Sequence, residues 1–249
     1  MLNIQGSGKL DVLKAIEISS NPYFALLAGD VLENPEDLAD AAKAFCYGAK
    51  TGIDLPAEIA GRVPTDLKTN RTGLYAMAIG QHSLVVTPLQ TAVMLSAIAN
   101  QGNILKPQIL QNSENRPEII RAIPMPRQLQ KILMEGMRRV VIKTYQSSLL
   151  TLSKIYRDYP EAISDYIDLK EELLGKTSTS EAMEQIDLDA VQGTNLYNHV
   201  WFGGISYQNN EPELVVVVYL RFGGYGKEAA PVAAQMVKKW RELIKNSFQ

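Results

Sequence analysis

The residues of this chain best suited to chemistry stand together near its far end: Gly175, Lys176, Thr177, Ser178, Thr179, Ser180 and Glu181. A strand alternates its faces, so Lys176, Ser178 and Ser180 point one way and Thr177 and Thr179 the other. Small residues on an edge strand let a second backbone lie close, the lysine adds positive charge, and the threonines add hydroxyl donors. That combination suits an extended peptide ending in a carboxylate, bound by strand addition. A polar strand end running into a turn would read the same way. Gly-Lys-Thr also ends the phosphate-binding loop of nucleotide-binding proteins, but that loop needs a glycine at position 170. Lys170, Glu171 and Glu172 stand in its place, and carboxylates there would repel phosphate, so nucleotide binding is rejected.

The elements that must position this stretch belong to a chain of 249 residues, 46% hydrophobic, enough for one large domain or two small ones. The net charge of −2, with no basic run, argues against a nucleic-acid partner. The single Cys46 excludes an internal disulfide and reads as a buried small hydrophobe. No cofactor or metal motif is present. No stretch reaches the ~18 apolar residues that span a bilayer, and Met1 to Lys9 carries no signal-peptide pattern. The chain as given is expected to be soluble, or part of something anchored elsewhere.

Taken in order, Gly6 and Gly8 mark a loop, residues 10–18 a helix, and Ser19-Ser20-Asn21 a junction before a proline-led helix at Pro22. Ser19 or Ser20 could simply cap that helix. Asn34-Pro35-Glu36-Asp37 starts another, running to about Phe45. Residues 47–58 form a loop whose Lys50-Thr51-Gly52 is flanked by Gly48, Pro56 and Gly61 and is therefore not a strand. Residues 73–79 are short and apolar. Thr87-Pro88 opens a helix that is apolar nearly all round and therefore buried. Ile104 to Leu110 reads as an edge strand, Pro126 to about Ile142 as a helix, and 146–172 as mainly helical with a break at Pro160. His199 to Tyr207 and Leu214 to Phe222 read as two strands joined at Asn209-Asn210. The run of four valines in the second needs both faces covered and places it inside a sheet. A last helix starts at Pro231.

These segments together resemble the serine transpeptidase domain of penicillin-binding proteins, most of all the monofunctional, elongation-type class. The resemblance rests on Ser19-Ser20-Asn21 as Ser-x-Asn, on Thr51-Gly52-Ile53-Asp54-Leu55-Pro56 with Gly61-Arg62, and on Ala78-Ile79-Gly80-Gln81. Thr87-Pro88-Leu89-Gln90, Ala97-Ile98-Ala99-Asn100, Gly175 to Glu181 at the Lys-Thr-Gly-Thr strand, His199-Val200-Trp201-Phe202 and Ala229-Ala230-Pro231-Val232 continue the series. It implies an α+β fold of the serine β-lactamase type: a helical region over 1–142, a helical insertion over 143–172, and an antiparallel sheet with a last helix over 173–249. It implies cleavage of a terminal D-Ala–D-Ala bond of a peptidoglycan stem peptide through an acyl-serine, β-lactams as mimics, and a place on the periplasmic side of the inner membrane. Ser19 would relay a proton near the leaving group and Lys176 would hold its hydroxyl in an electropositive site. Asn21 would donate to a substrate carbonyl. Thr177 and Thr179 would hold the terminal carboxylate, and the Thr179 N–H would form half of an oxyanion hole. Ser178 stands where the family has glycine, which is expected to narrow access.

The family's nucleophile lies in Ser-x-x-Lys, and no serine here is followed three residues later by lysine; Thr65-x-x-Lys68 and Thr151-x-x-Lys154 are the nearest forms. The chain is therefore expected to be the C-terminal part of a transpeptidase domain, acting with an N-terminal portion that carries the nucleophile. A non-catalytic binding module and a degenerate remnant are the alternatives. A thiol hydrolase built on Cys46 with His82 or His199 is disfavoured, because Cys46 lies on a helix pattern and has no nucleophile-like turn. Ser19, Asn21 and Lys176 are expected to converge.

Overall fold

The computed structural model describes residues 2–4, 8–110, 117–150, 159–181 and 198–247. The chain divides into two compact units, Met1–Gly136 and Met137–Gln249. The first begins with an antiparallel pair, β1 (Leu2–Ile4) and β2 (Gly8–Leu10). Helices α1 (Val12–Glu17), α2 (Asn21–Leu26), α3 (Glu36–Ala44), α4 (Arg71–Ala78) and α5 (Pro88–Ala99) follow. A second antiparallel pair, β3 (Asn103–Leu105) and β4 (Ile119–Ala122), leads to the long helix α6 (Arg127–Leu150). In the second unit come α7 (Pro160–Leu169), β5 (Leu173–Glu181), β6 (Asn198–Gln208), β7 (Glu211–Leu220) and α8 (Ala229–Ser247).

In the first unit, α5 starts where the sequence places it. The Thr87 hydroxyl accepts from the Gln90 N–H and the Gln90 carbonyl oxygen Oε1 accepts from the Thr87 N–H, a closed capping box behind Pro88. Gln90 is fully buried, and its Nε2 lies 3.0 Å from the Cys46 carbonyl and 2.8 Å from those of Ala49 and Ala60. One side-chain amide thus satisfies both ends of the loop that follows α3. Inside that loop Glu58 accepts from the Thr51 N–H and hydroxyl, both at 2.6 Å, and from the Gly52 N–H at 3.0 Å. The Lys50-Thr51-Gly52 stretch is therefore a clamped loop.

Several boundaries differ from the sequence reading. Residues 73–78 belong to α4, which ends at the Ile79 cap and whose start is capped by Asn70 accepting from the Gly73 N–H. The strand read over Ile104 to Leu110 ends at Leu105, before Pro107, and pairs with β4, which carried no sequence signal. Gly8 opens β2. Of the helical reading over 146–172, residues 151–158 lie outside the described residues, as do Gly6 and Lys154.

The second unit is an antiparallel sheet in the order β5-β6-β7. Val200, Phe202, Val216 and Val218 are buried on one face beneath Ala229, Ala230, Ala233, Ala234 and Val237 of α8 and beside Tyr166 and Leu169 of α7. The alanines keep α8 close to the sheet. Arg241 pins it: Nη2 donates to the Tyr207 carbonyl and to Glu213, Nε to Glu213, and Nη1 to Glu172 just before β5. Lys238 bridges α8 to Asp165 and Asp168 on α7. Among the described residues β7 is outermost, not interior. Its valine run reflects coverage of Val216 and Val218 by α8, while Val215 and Val217 on the other face are half-buried.

Gly175 and Gly204 are cross-strand partners, and the Phe202 ring occupies the space where their side chains would be. A Cβ on Gly175 would sit 2.1 Å from Phe202 Cζ, and one on Gly204 2.7 Å from Cε1. Gly175→Ala is expected to destabilise the chain by about 1–3 kcal/mol through overpacking. Adding Phe202→Leu should recover part of that loss, read as coupling between the two sites in a urea-denaturation double-mutant cycle. Strictly additive losses would show that the ring does not set this position.

Candidate active site

Among the described residues β5 is bonded to β6 along one edge and has no strand along the other. The Tyr207 N–H donates to the Glu172 carbonyl at 2.7 Å, one pair beyond Leu173↔Ser206. Bonded and non-bonded pairs alternate along an antiparallel ladder. Lys176↔Gly203, Ser178↔Trp201 and Ser180↔His199 therefore exchange hydrogen bonds, while Gly175, Thr177 and Thr179 turn their backbone N–H and C=O groups outward. The Lys176 ammonium takes up the Thr177 carbonyl at this edge, at 2.6 Å.

The side chains divide as the strand period requires. Thr177 and Thr179 share the face of Phe202 and Val200; Lys176 and Ser178 share that of Gly203 and Trp201. The Thr179 hydroxyl accepts from the Gly226 N–H at 3.0 Å, so its own proton is left to donate. Gly226 is pressed against the Ser178 backbone, where a Cβ would lie 2.9 Å from the Ser178 carbonyl oxygen. Ser178 and Thr179 are exposed, Lys176 and Thr177 half-buried. Burial, and next the like charge of Lys143 on α6, push the Lys176 amine down from its ordinary 10.5 to about 8. A lysine poised there can hold a proton or give it up near neutral pH. Lys143 belongs to no motif, and nothing in the sequence pointed to it.

Ser19 and Asn21 lie in the other compact unit, at the junction of α1 and α2. Ser20 N–H donates to the Ala15 carbonyl (2.9 Å) and Ser19 N–H to the Ile16 carbonyl (3.1 Å), a Schellman stop. Ser19 occupies its left-handed position with φ 54°, where glycine is usual. Holding a serine there costs on the order of 1 kcal/mol. Ser20 sits at the N-cap of α2 but makes no side-chain capping bond, and Asn21 is exposed in the first turn. A π turn at Leu27–Val31 continues α2. It is fastened to α4 by Asp30, which accepts from the Tyr75 hydroxyl and the Arg71 guanidinium; those bonds hold the Asp30 carboxyl below the usual range. The structure thus brings Lys176, Thr177, Ser178 and Thr179 together on one strand, and Ser19 with Asn21 on one turn.

The residues of the thiol alternative are structural. Cys46 is buried with Val93, Ala97 and Ile104, and burial pushes its thiol up. His82 bonds Asp66 at 2.9 Å, and His199 packs against Tyr219 and Phe222.

A sequence profile of the penicillin binding protein transpeptidase domain matches residues 2–240. The chain belongs to this family. Peptidoglycan D,D-transpeptidase MrdA of Acinetobacter baumannii is 26% identical over 251 residues, covering 94% of this chain and 35% of that protein. The Haemophilus influenzae MrdA gives 26% over 252 residues, covering 93% and 36%. The chain thus spans about a third of the length of these curated relatives. Among solved structures, Pseudomonas aeruginosa PBP2 in complex with WCK 5153 aligns with a TM-score of 0.71 at 23% identity, over 94% of this chain and 48% of that one. The α+β transpeptidase fold expected from the sequence is therefore present.

The Lys176 environment gives a pH signature. The amine binds its proton less tightly folded than unfolded, so the penalty is absent above about pH 10.5, grows as pH falls towards 8, and is complete below 8. Lys176→Met should therefore stabilise the chain at pH 7 by about 1–3 kcal/mol, allowing for partial exposure. The gap between variant and wild type should narrow between pH 8 and 10.5 in urea titrations. A gap that is the same at both ends would place Lys176 in ordinary solvent.

Proposed function

We propose that this chain is the substrate-binding, C-terminal part of a D,D-transpeptidase that cross-links peptidoglycan during cell elongation, on the outer side of the cytoplasmic membrane. The observation that carries this is the open edge of β5, with Thr177 and Thr179 backbone groups turned outward beside Lys176. A stem peptide ending in D-Ala–D-Ala would lie along that edge as an added strand. Thr177 and Thr179 hydroxyls would take its terminal carboxylate, and the Thr179 N–H would face the developing oxyanion. Lys176 and Ser19 would pass the proton to the leaving group, and Asn21 would orient the peptide. β-Lactams would enter the same way. Family membership and the MrdA relatives support this reading.

The acyl-forming serine would come from a polypeptide portion carrying Ser-x-x-Lys, since this sequence holds none. Among the described residues β7 has no strand on its outer edge and Met236, Trp240 and Leu243 of α8 are exposed, which would give such a portion a place to pair. That absence also favours a second reading, a non-catalytic module that binds stem peptide without cleaving it.

Intact-mass analysis with a fluorescent penicillin should show no stable adduct on this chain alone. A peptide ending in D-Ala–D-Ala should shift the backbone amide resonances of Thr177, Ser178 and Thr179. An adduct would mean that Ser19 or another serine serves as nucleophile. Binding that leaves the β5 amides unmoved would remove the reading altogether. Supplying the Ser-x-x-Lys portion in trans and recovering the adduct would separate the enzyme from the binding module.

A further inference from the structure

Helix α2, which begins at Asn21, runs without a break into the π turn at Leu27–Val31. There the Leu32 N–H donates to the Leu27 carbonyl, five residues back, at 3.1 Å. A π turn holds one residue more than an α turn. Seen from the far side of such a turn, the preceding helix is rotated by about 100° and displaced by about 1.5 Å relative to an uninterrupted α-helix. What holds this turn lies on α4. Gly29 sits so close under the Tyr75 ring that a Cβ there would be 1.9 Å from Cε1. Ala28 beside it is buried with Leu74 and Met77. Asp30 accepts from the Tyr75 hydroxyl at 2.9 Å and from the Arg71 guanidinium, and Arg71 Nε donates to the same hydroxyl at 2.9 Å. The start of α4 is itself tied down, because Asp66 accepts from Asn70 Nδ2 at 2.7 Å and bonds His82 at 2.9 Å. The near end of α2 is held in another way: Tyr23 is buried with Leu10 and Ala15. Apolar contact keeps a helix down without fixing its rotation, whereas hydrogen bonds are directional.

Resting on the reading of Asn21 as a residue that orients the stem peptide, we propose that Tyr75 and Asp30 are positioning residues for Asn21. They lock the π turn, and the locked turn sets the direction in which α2 presents the Asn21 amide. Without the lock, the five-residue bond gives way to the four-residue bond of an ordinary helix, and Asn21 swings by about 100° around the helix axis. Both residues act through α2 and not on the peptide. Asp30 is exposed, so its replacement leaves the core untouched, and Tyr75→Phe keeps the ring over Gly29 while removing the hydroxyl.

The test combines amide hydrogen exchange with a D-Ala–D-Ala peptide titration of the whole chain, in wild type, Asp30→Ala, Tyr75→Phe and Asp30→Asn. Asp30→Ala should lower protection of the Leu32 N–H, the donor of the π bond, by about tenfold, and Tyr75→Phe by about threefold. In wild type the peptide should move the Asn21 side-chain amide resonances together with the β5 amides. In Asp30→Ala the β5 amides should still move, the Asn21 response should be lost, and binding should weaken about three- to tenfold. Asp30→Asn, whose amide oxygen still accepts from both donors, should restore the Asn21 response. Unchanged Leu32 protection in Asp30→Ala overturns the proposal. So does lost protection with a wild-type Asn21 response, or a wild-type titration that moves β5 and leaves Asn21 still; in each case the peptide site on β5 stands. No movement of β5 in wild type overturns the peptide site, and the proposal with it.

Discussion

Phe202 lies across the faces of Gly175 and Gly204, and that contact sets how flat and how bare β5 can be. With no side chains at those positions, the ring fills the face of the sheet that α8 covers, and the backbone of β5 stays in register with β6 through to Glu181. Thr177 is the cross-strand partner of Phe202 itself. The parity that turns Thr177 and Thr179 outward is thus fixed from within the core. Arg241 then ties α8 to Glu172 at the foot of the same strand, so the helix that buries the sheet also holds the start of its working edge.

The first unit shows how sequence motifs can carry architecture instead of chemistry. The Thr-Gly-Ile-Asp-Leu-Pro loop and the Thr-Pro-Leu-Gln segment look like signatures; Gln90 joins the second to the backbone on either side of the first, and Glu58 closes the loop on itself. Ser19 holds a left-handed backbone, φ 54°, in a position where glycine would sit without strain.

Much of this was legible beforehand because periods and punctuation carry it. The capping box at Thr87 and Gln90, the glycines around Lys50, and the turn at Asn209-Asn210 each act within a few residues, so the sequence shows them directly. The sheet order was only partly legible. Four consecutive valines state that both faces of β7 avoid water, but not whether its edges are paired, because edge pairing leaves no trace in side-chain type. β4 escaped notice because its four residues are all exposed and only Ile119 and Ile120 look like strand. Lys143 could not be found at all: that its charge acts on Lys176 depends on how α6 is held, which is tertiary information.

The burial of Gln90 has a bearing on how this chain ages chemically. Its amide nitrogen faces three carbonyl oxygens, and a carboxylate in its place would have only acceptors to offer them. Hydrolysis of that one amide would therefore turn the tightest knot of the first unit into a buried repulsion. In the folded chain the group is shut away from water and the reaction has no access. The hazard lies in time spent unfolded, when a single lost ammonia would produce a chain unable to close the loop again.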